Sequence, residues 1–289
     1  MRIITGATGF IGRRVVERLR AEGHAVRGIS TRTPPRPEDL EGCDAVIHLS
    51  GEPVAQRWTP DARERIRASR VEGTRALVAA FRPGSPSVLV SASAVGYYGS
   101  RGEEILNENA SPATDFLATV AVEWEREAQN AEKLGVRVVR LRIAMVLGPD
   151  GGALERMLLP FRLGIGGRIG SGKQWMSWIH REDLVSLIRF ALDNPSVRGA
   201  VNACAPNPVT NAEFTRALAR ALHRPAIFPI PRFALKLLFG EMAEIIFASQ
   251  RAIPEAAVRA GFEFRFPEAG AALNDVLMSL RARSSGLAR

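Results

Sequence analysis

The 289-residue chain has very little cysteine and almost no lysine. Its two cysteines, Cys43 and Cys204, show no metal-ligand spacing and no pairing logic, so they read as free thiols buried in a reducing compartment. No run of about eighteen apolar residues occurs, which excludes a membrane-spanning helix. An apolar strand begins at residue 2 and leaves no room for a signal peptide, so a cytoplasmic protein without a membrane partner is expected. Only Lys133, Lys173 and Lys236 are lysine among the 39 basic residues. The arginines are scattered, with no basic tail and no stripe interleaved with aromatics. The formal net charge of +9 therefore does not point to nucleic acid, although a positive field favours a phosphorylated cofactor. Tyrosine is confined to positions 97 and 98, and no acidic residue lies between Gly23 and Pro37. No internal repeat or low-complexity segment is apparent.

What is present begins at once. Arg2-Ile3-Ile4 is a short apolar strand that runs into Thr5-Gly6-Ala7-Thr8-Gly9-Phe10-Ile11-Gly12. Ile11, Val15 and Leu19 follow four apart and predict an apolar helical stripe, with Gly23 at the helix C-cap. Strand, glycine turn and helix together make an anion site. Glycines let the backbone approach a pyrophosphate, and the unpaired N–H groups of the helix terminus point at it.

Strands and helices then alternate. Strands are expected at 25–29, 45–49, 88–91 and 136–141. A long helix is expected from Pro60 to about Ala80, and a second carries the stripe Leu117, Val120, Trp124, Ala128, Ala131. Continuous apolar strands separated by helices predict an α/β fold with a doubly wound parallel sheet covered on both faces. Beyond Gly148 the texture changes to a glycine-rich stretch through Gly172. A short helix around 184–191 and a strand at 200–203 follow, and from Thr210 the chain is mostly helical with proline breaks. The expected division is a dinucleotide-binding domain over 1–163, to whose sheet 177–205 returns, and a smaller, mostly helical cap lobe over 164–289.

The end of the second strand selects the cofactor. An acid there hydrogen-bonds the ribose 2′-hydroxyl of NAD. This chain has Ser30-Thr31-Arg32 instead, with Arg27 and Arg36 nearby. An arginine pairs with the 2′-phosphate of NADP and a hydroxyl adds a hydrogen bond, so NADP(H) is the expected cofactor.

Several motifs resemble the extended short-chain dehydrogenase/reductases: Thr5–Gly12, Asp44–Gly51, Val71-Glu72-Gly73-Thr74 and Arg140-Leu141-Arg142. Ser91–Gly99, Gly170–Trp175, Trp178-Ile179-His180 and the stretch from Phe239 to Phe262 resemble more closely the atypical "epimerase family" branch of the NAD-dependent epimerase/dehydratases, with its C-terminal domain of unassigned function. The resemblance covers nearly the whole chain and implies a Rossmann core. It places Gly6, Thr8, Gly9, Phe10, Ile11 and Gly12 at the pyrophosphate, and Arg32 at the 2′-phosphate. Leu49, Ser50 and Gly51 fall on the adenine-ribose side, and Ser91, Ala92 and Ser93 beside the nicotinamide ribose. Glu52 either touches the cofactor or is a solvated loop acid. His48 reads as a strand-end packing residue.

The superfamily's catalytic pair, a tyrosine followed four residues later by lysine, is absent. The three lysines are preceded at that spacing by Gln129, Ile169 and Arg232, and the superfamily's asparagine ahead of Gly73-Thr74 is here Arg70, which is expected among the cofactor-binding residues. The residues left for chemistry are Ser93, Tyr97 and Tyr98 at the end of the fourth strand. Either phenol could donate a proton, although packing under a loop is the ordinary role for at least one. Trp175, Trp178 and His180 could wall a substrate pocket, with His180 either a proton source or a helix cap. Two functions remain open. One is an NADP(H)-dependent oxidoreductase or epimerase-like enzyme acting on a small molecule. The other is a non-catalytic NADP(H)-binding redox sensor.

Overall fold

The protein is described here by a computed structural model covering residues 1–226 and 228–284. Its apolar runs form six strands: β1 Arg2–Thr5, β2 Val26–Ile29, β3 Ala45–His48, β4 Val88–Ala94, β5 Arg137–Ile143 and β6 Gly199–Ala203. They make one parallel sheet in the order β6-β5-β4-β3-β1-β2. Strand alternation sorts the core into two layers. Ile4, Ile47, Val90, Val139 and Leu141 pack on one face against Val15, Leu19, Leu184 and Ile188. Ile3, Val46, Leu89 and Val138 pack on the other against Leu77, Val78, Ala128 and Ala131. The two cysteines are free and buried, and burial pushes both thiols up, away from reactivity.

The helices are α1 Gly12–Ala21, α2 Pro60–Ala79, α3 Phe116–Gln129, α4 Gly152–Arg162, α5 Arg181–Asp193, α6 Asn211–Leu222, α7 Arg232–Phe239, α8 Ala243–Phe247, α9 Glu255–Arg259 and α10 Ala269–Ser284. Local chemistry sets their starts. Thr59 accepts the Ala62 N–H ahead of Pro60, and Asp115 accepts those of Leu117 and Ala118. Helix α4 lies inside the glycine-rich stretch that reads as a loop. Leu154, Leu158 and Phe161 give it a buried stripe, and Pro160 in its last turn removes one i→i−4 hydrogen bond near the helix end.

A second core joins α4, α6 and α10 through Leu154, Leu158, Phe214, Leu218, Leu273 and Val276. Short strand pairs attach this lobe to the sheet. Met145–Leu147 pairs with Trp178–His180, and Ile105–Leu106 with Arg251–Ala252. Asn202 on β6 locks the second pair. Its amide donates to the carbonyls of Leu106 at 3.1 Å and Ile253 at 2.9 Å. Among the described residues no helix is long and apolar enough to cross a membrane.

Candidate functional site

Strand β1 has β2 on one side and β3 on the other, so the connections diverge there and a crevice opens at the carboxyl ends of the strands. The glycine turn floors it. Gly6 has φ +69°, and a Cβ there would lie 2.8 Å from the Leu49 carbonyl oxygen, so only glycine lets the turn meet the end of β3. At Gly12 a Cβ would come within 2.0 Å of the Gly6 carbonyl oxygen. Gly9 and Thr8 are exposed on the rim, and the Gly9 N–H donates to Gly6 at 3.0 Å. The N–H groups of Phe10 and Ile11, just ahead of α1, find no acceptor among the described residues. This geometry fits an anion such as a diphosphate. The Phe10 ring serves another purpose. Cβ atoms at Gly148 and Gly151 would each come within 2.7 Å of it, so it pins the turn to the 148–152 loop.

At the end of β2 the structure leaves one arginine free. Arg27 is turned to the Asp39 carbonyl, and Arg36 lies 3.8 Å from the Asp39 carboxylate. Arg32 is exposed, with no carboxylate partner among the described residues. Its N–H donates to the Ser30 hydroxyl at 3.1 Å, which shapes the turn. Thr31 is half-buried against α2, 3.9 Å from where a Gly73 Cβ would stand.

His48, at the end of β3, is fully buried between two hydroxyls, 2.7 Å from Thr5 Oγ1 and 2.8 Å from Thr74 Oγ1. Thr5 Oγ1 already accepts the N–H groups of Leu49 and Ser50, so it donates to Nδ1, and Nε2–H donates to Thr74. Burial, reinforced by Arg70, pushes the imidazole down to about 4, so it stays neutral and structural. Leu49 and Ser50 are half-buried and Gly51 is exposed at the crevice. The Glu52 carboxylate turns to Gln56 Nε2 at 3.1 Å and to Arg65 at 3.9 Å. Arg70 lies directly beneath Gly51, whose Cβ would touch the guanidinium carbon at 3.1 Å.

The end of β4 corrects the expected chemistry. Ser91, Ala92 and Ser93 are all buried. Ser93 donates its only hydroxyl proton to Glu125 Oε1 at 2.8 Å, so it has none to offer a substrate oxygen. Glu125 is itself buried and forked by Arg142, with Nε–Oε1 at 2.8 Å and Nη2–Oε2 at 3.0 Å, and Arg140 adds a contact at 3.3 Å. Against the burial that opposes its charge, Arg142 is held protonated by these contacts, above the usual guanidinium range. Tyr98 is wholly buried too. It donates to Asn202 Oδ1 at 2.7 Å and accepts from Arg142 Nη1 at 2.9 Å. Tyr97 differs. It is half-buried, its ring lies 3.5 Å from the Arg142 guanidinium carbon, and its hydroxyl has no partner among the described residues. Of the three catalytic candidates, only Tyr97 keeps a free proton.

In the second lobe the three pocket candidates separate. Trp178 is fully buried in the lobe core and donates Nε1–H to the Asn207 carbonyl at 3.1 Å. His180 caps α5 by accepting the Glu182 N–H at 3.2 Å and stacks on Phe266. Burial pushes its imidazole down against the pull of Asp275. Trp178 lies too deep to wall a pocket, and the cavity that His180 borders is lined by Arg14, Glu182, Arg265 and Asp275, with neither tryptophan among its walls. Trp175 is half-buried with Arg251 stacked 4.1 Å from its centre, and it remains available at the junction between the lobes.

The Glu125–Arg142–Asn202 network is absent from the expectations above. Two signals carried it. Arg140 and Arg142, two apart on a strand, share a face and demand a carboxylate. Glu125 falls between Ala121 and Ala128 on the buried arc of α3.

Comparison with known proteins agrees with this architecture. Residues 2–204 match the NAD dependent epimerase/dehydratase family, and residues 230–276 match a domain of unknown function, DUF1731. The chain is 42% identical over 299 residues to the chloroplastic "epimerase family protein SDR39U1 homolog" of Arabidopsis thaliana, covering 95% of this chain and 86% of that one. It is 42% identical over 286 residues to "epimerase family protein Mb2239" of Mycobacterium bovis, covering 93% and 95%. The crystal structure of human epimerase family protein SDR39U1 (isoform 2) with NADPH superimposes with a TM-score of 0.88 at 34% identity, covering 97% of this chain and 100% of that one. Matched from its first strand to the end of β6, the chain belongs to the NAD dependent epimerase/dehydratase family.

Proposed function

We propose that the chain is an NADP(H)-binding oxidoreductase acting on a small carbonyl or alcohol substrate. The observation that carries this reading is the pairing of the anion-ready turn Gly6–Gly12 with an acid-free β2 end bearing the exposed Arg32, which has no carboxylate partner among the described residues. The turn suits the diphosphate, and Arg32 suits the extra 2′-phosphate that separates NADP from NAD. The human relative crystallised with NADPH supports the same choice. When bound, the nicotinamide supplies the hydride. Tyr97 is the proton donor of this reading, because Ser93 and Tyr98 spend their protons on Glu125 and Asn202. The test is a carbonyl screen that follows NADPH absorbance, with Tyr97→Phe alongside. At least a tenfold loss of kcat in Tyr97→Phe, about 1.4 kcal/mol of barrier, supports the assignment. Wild-type turnover in that variant overturns it.

The inward-turned hydroxyls and the missing tyrosine–lysine pair favour a second reading, a non-catalytic NADP(H) sensor. Tight NADPH binding with no member of a broad carbonyl library reduced is its expected signature.

A further inference from the structure

The second lobe leaves one face uncovered. No residue of α7 is buried. Phe233 and Leu237 on it are 75% and 84% exposed, and Phe228, just ahead of it, is 71% exposed. Leu238 stands out beside them. At the end of α4 and just past it, Leu159, Leu163 and Ile165 are also mostly exposed. Backbone pairing makes these two segments neighbours. The Ile230 N–H donates to the Arg168 carbonyl at 2.7 Å, and the Gly170 N–H to the Ile230 carbonyl at 3.0 Å. A Cβ at Gly167 would lie 1.8 Å from the Phe228 carbonyl oxygen, so only glycine lets the two segments meet. Scattered exposed leucines need no explanation, but apolar side chains gathered on two paired segments mark a binding surface.

The charge on these segments has one sign. The sequence has no acid between Glu155 and Glu182, and none between Glu213 and Glu241. Arg168 turns to the Gly170 carbonyl at 2.7 Å, and the Arg232 guanidinium carbon lies 4.2 Å from the centre of the Phe247 ring. Neither they nor the exposed Arg162 has a carboxylate partner among the described residues. Lys236 is paired, with Glu244 at 2.8 Å. A second copy of the chain is a poor cover for this face, because a two-fold axis would set the arginines against their own copies. Protein partners seat apolar anchors in complementary pockets, whereas a fluid bilayer interface accepts protruding phenylalanine and leucine in any arrangement. The guanidinium fork suits lipid phosphate, and the formal net charge of +9 adds attraction to an anionic surface.

We propose that this face, formed by α7 and the end of α4, docks the protein on the surface of a bilayer rich in anionic phospholipid. The apolar side chains enter the headgroup boundary, and the arginines meet the phosphates. Among the described residues no helix is long and apolar enough to cross a membrane, but surface binding needs none. Docking is reversible and weakens as salt screens the arginines.

Co-sedimentation of the full chain with vesicles tests this, with an equal mixture of phosphatidylglycerol and phosphatidylcholine set against phosphatidylcholine alone. The anionic vesicles should hold the chain at least tenfold more tightly, and high salt should release it. A Phe233→Ser, Leu237→Ser double variant should lose at least tenfold in vesicle affinity with an unchanged melting temperature, because both side chains are exposed. Leu163→Ser, on the other segment, carries the test if that variant does not fold. An Arg162→Gln, Arg232→Gln variant should lose affinity for the anionic vesicles. Failure of the wild-type chain to bind anionic vesicles at low salt overturns the proposal, and so does undiminished binding by a folded Phe233→Ser, Leu237→Ser variant. Two outcomes would overturn it in favour of another cover. One is a chain that ignores vesicles but forms a dimer in sedimentation velocity that the same variant dissociates. The other is a chain that ignores vesicles but binds an acidic amphipathic peptide through this face.

Discussion

Tyr97 and Tyr98 are the only tyrosines of the chain, and they face different media. Burial pushes the Tyr98 phenol up to about 12, more than Arg142 and Asn202 pull it back. A raised folded value means that the stability Tyr98 contributes is complete below the free phenol's value near 10 and is lost as pH rises towards 12. In Tyr97→Phe, where Tyr98 is the sole tyrosine, tyrosinate absorbance should stay flat through pH 10 and rise only near pH 12 or on unfolding. A step at pH 10 in the folded protein would show that Tyr98 is open to solvent. His48 carries the opposite sign. Its folded value, pushed down to about 4 from 6.5, keeps the stability of the neutral ring in place above pH 6.5. That stability is lost as pH falls through 4. The full loss is about 3 kcal/mol at about 1.4 kcal/mol per unit. Denaturant unfolding at pH 7 and pH 4 should show a shallower acid loss in His48→Gln than in wild type, and equal losses would remove His48 from the account. Sequence alone distinguishes neither tyrosine. What separates them is Asn202, more than a hundred residues away, and spacing along one strand end carries no word of it.

At the scale of elements, the turn, α1 and the strands are legible because each is written in a short window. Glycine spacing, apolar period and cap residues lie within a dozen positions of one another. Helix α4 is not, because its three buried apolar residues sit among glycines and a proline that locally favour a loop. Helix α3 shows how a motif can be lost while its site stays occupied. No tyrosine–lysine pair is present, but Glu125 on that helix reaches Ser93 and ties α3 to β4 and β5. The glycine turn separates folding from binding. Gly12→Ala drives a Cβ to within 2.0 Å of the Gly6 carbonyl oxygen and should cost roughly 1–3 kcal/mol in denaturant unfolding. Gly9→Val should keep the fold, because a Gly9 Cβ meets only that oxygen at 3.2 Å, yet it should abolish dinucleotide binding. A Gly9→Val protein that binds NADPH normally would show that the turn is only structural.

The molecule as a whole is a sheet domain and a lobe joined through two short strand pairs, through Ala257 and Phe262 packed into the sheet core, and through polar anchors. Asn202 receives Tyr98 and donates to Leu106 in the strand Ile105–Leu106 and to Ile253, which follows its partner strand Arg251–Ala252. Asn202→Leu leaves those groups buried and unanswered, so unfolding should be easier by roughly 1–3 kcal/mol for each group left unpaired, with earlier proteolysis at the lobe junction. Wild-type cleavage rates and stability in that variant would mean that the lobe is held by other contacts. The lobe's existence is readable from proline and glycine texture, but its attachment is not, since the anchors pair residues 106, 202 and 253 across the whole chain. The central claim concerns what this assembly holds. Its most direct test is calorimetric titration of wild type and Arg32→Ala with NADPH and NADH. The account predicts tighter binding of NADPH by wild type and a loss of about 1–3 kcal/mol for NADPH alone in Arg32→Ala, the range of a charge-assisted contact. Equal wild-type affinities for the two nucleotides, or an equal loss for both in Arg32→Ala, would contradict it.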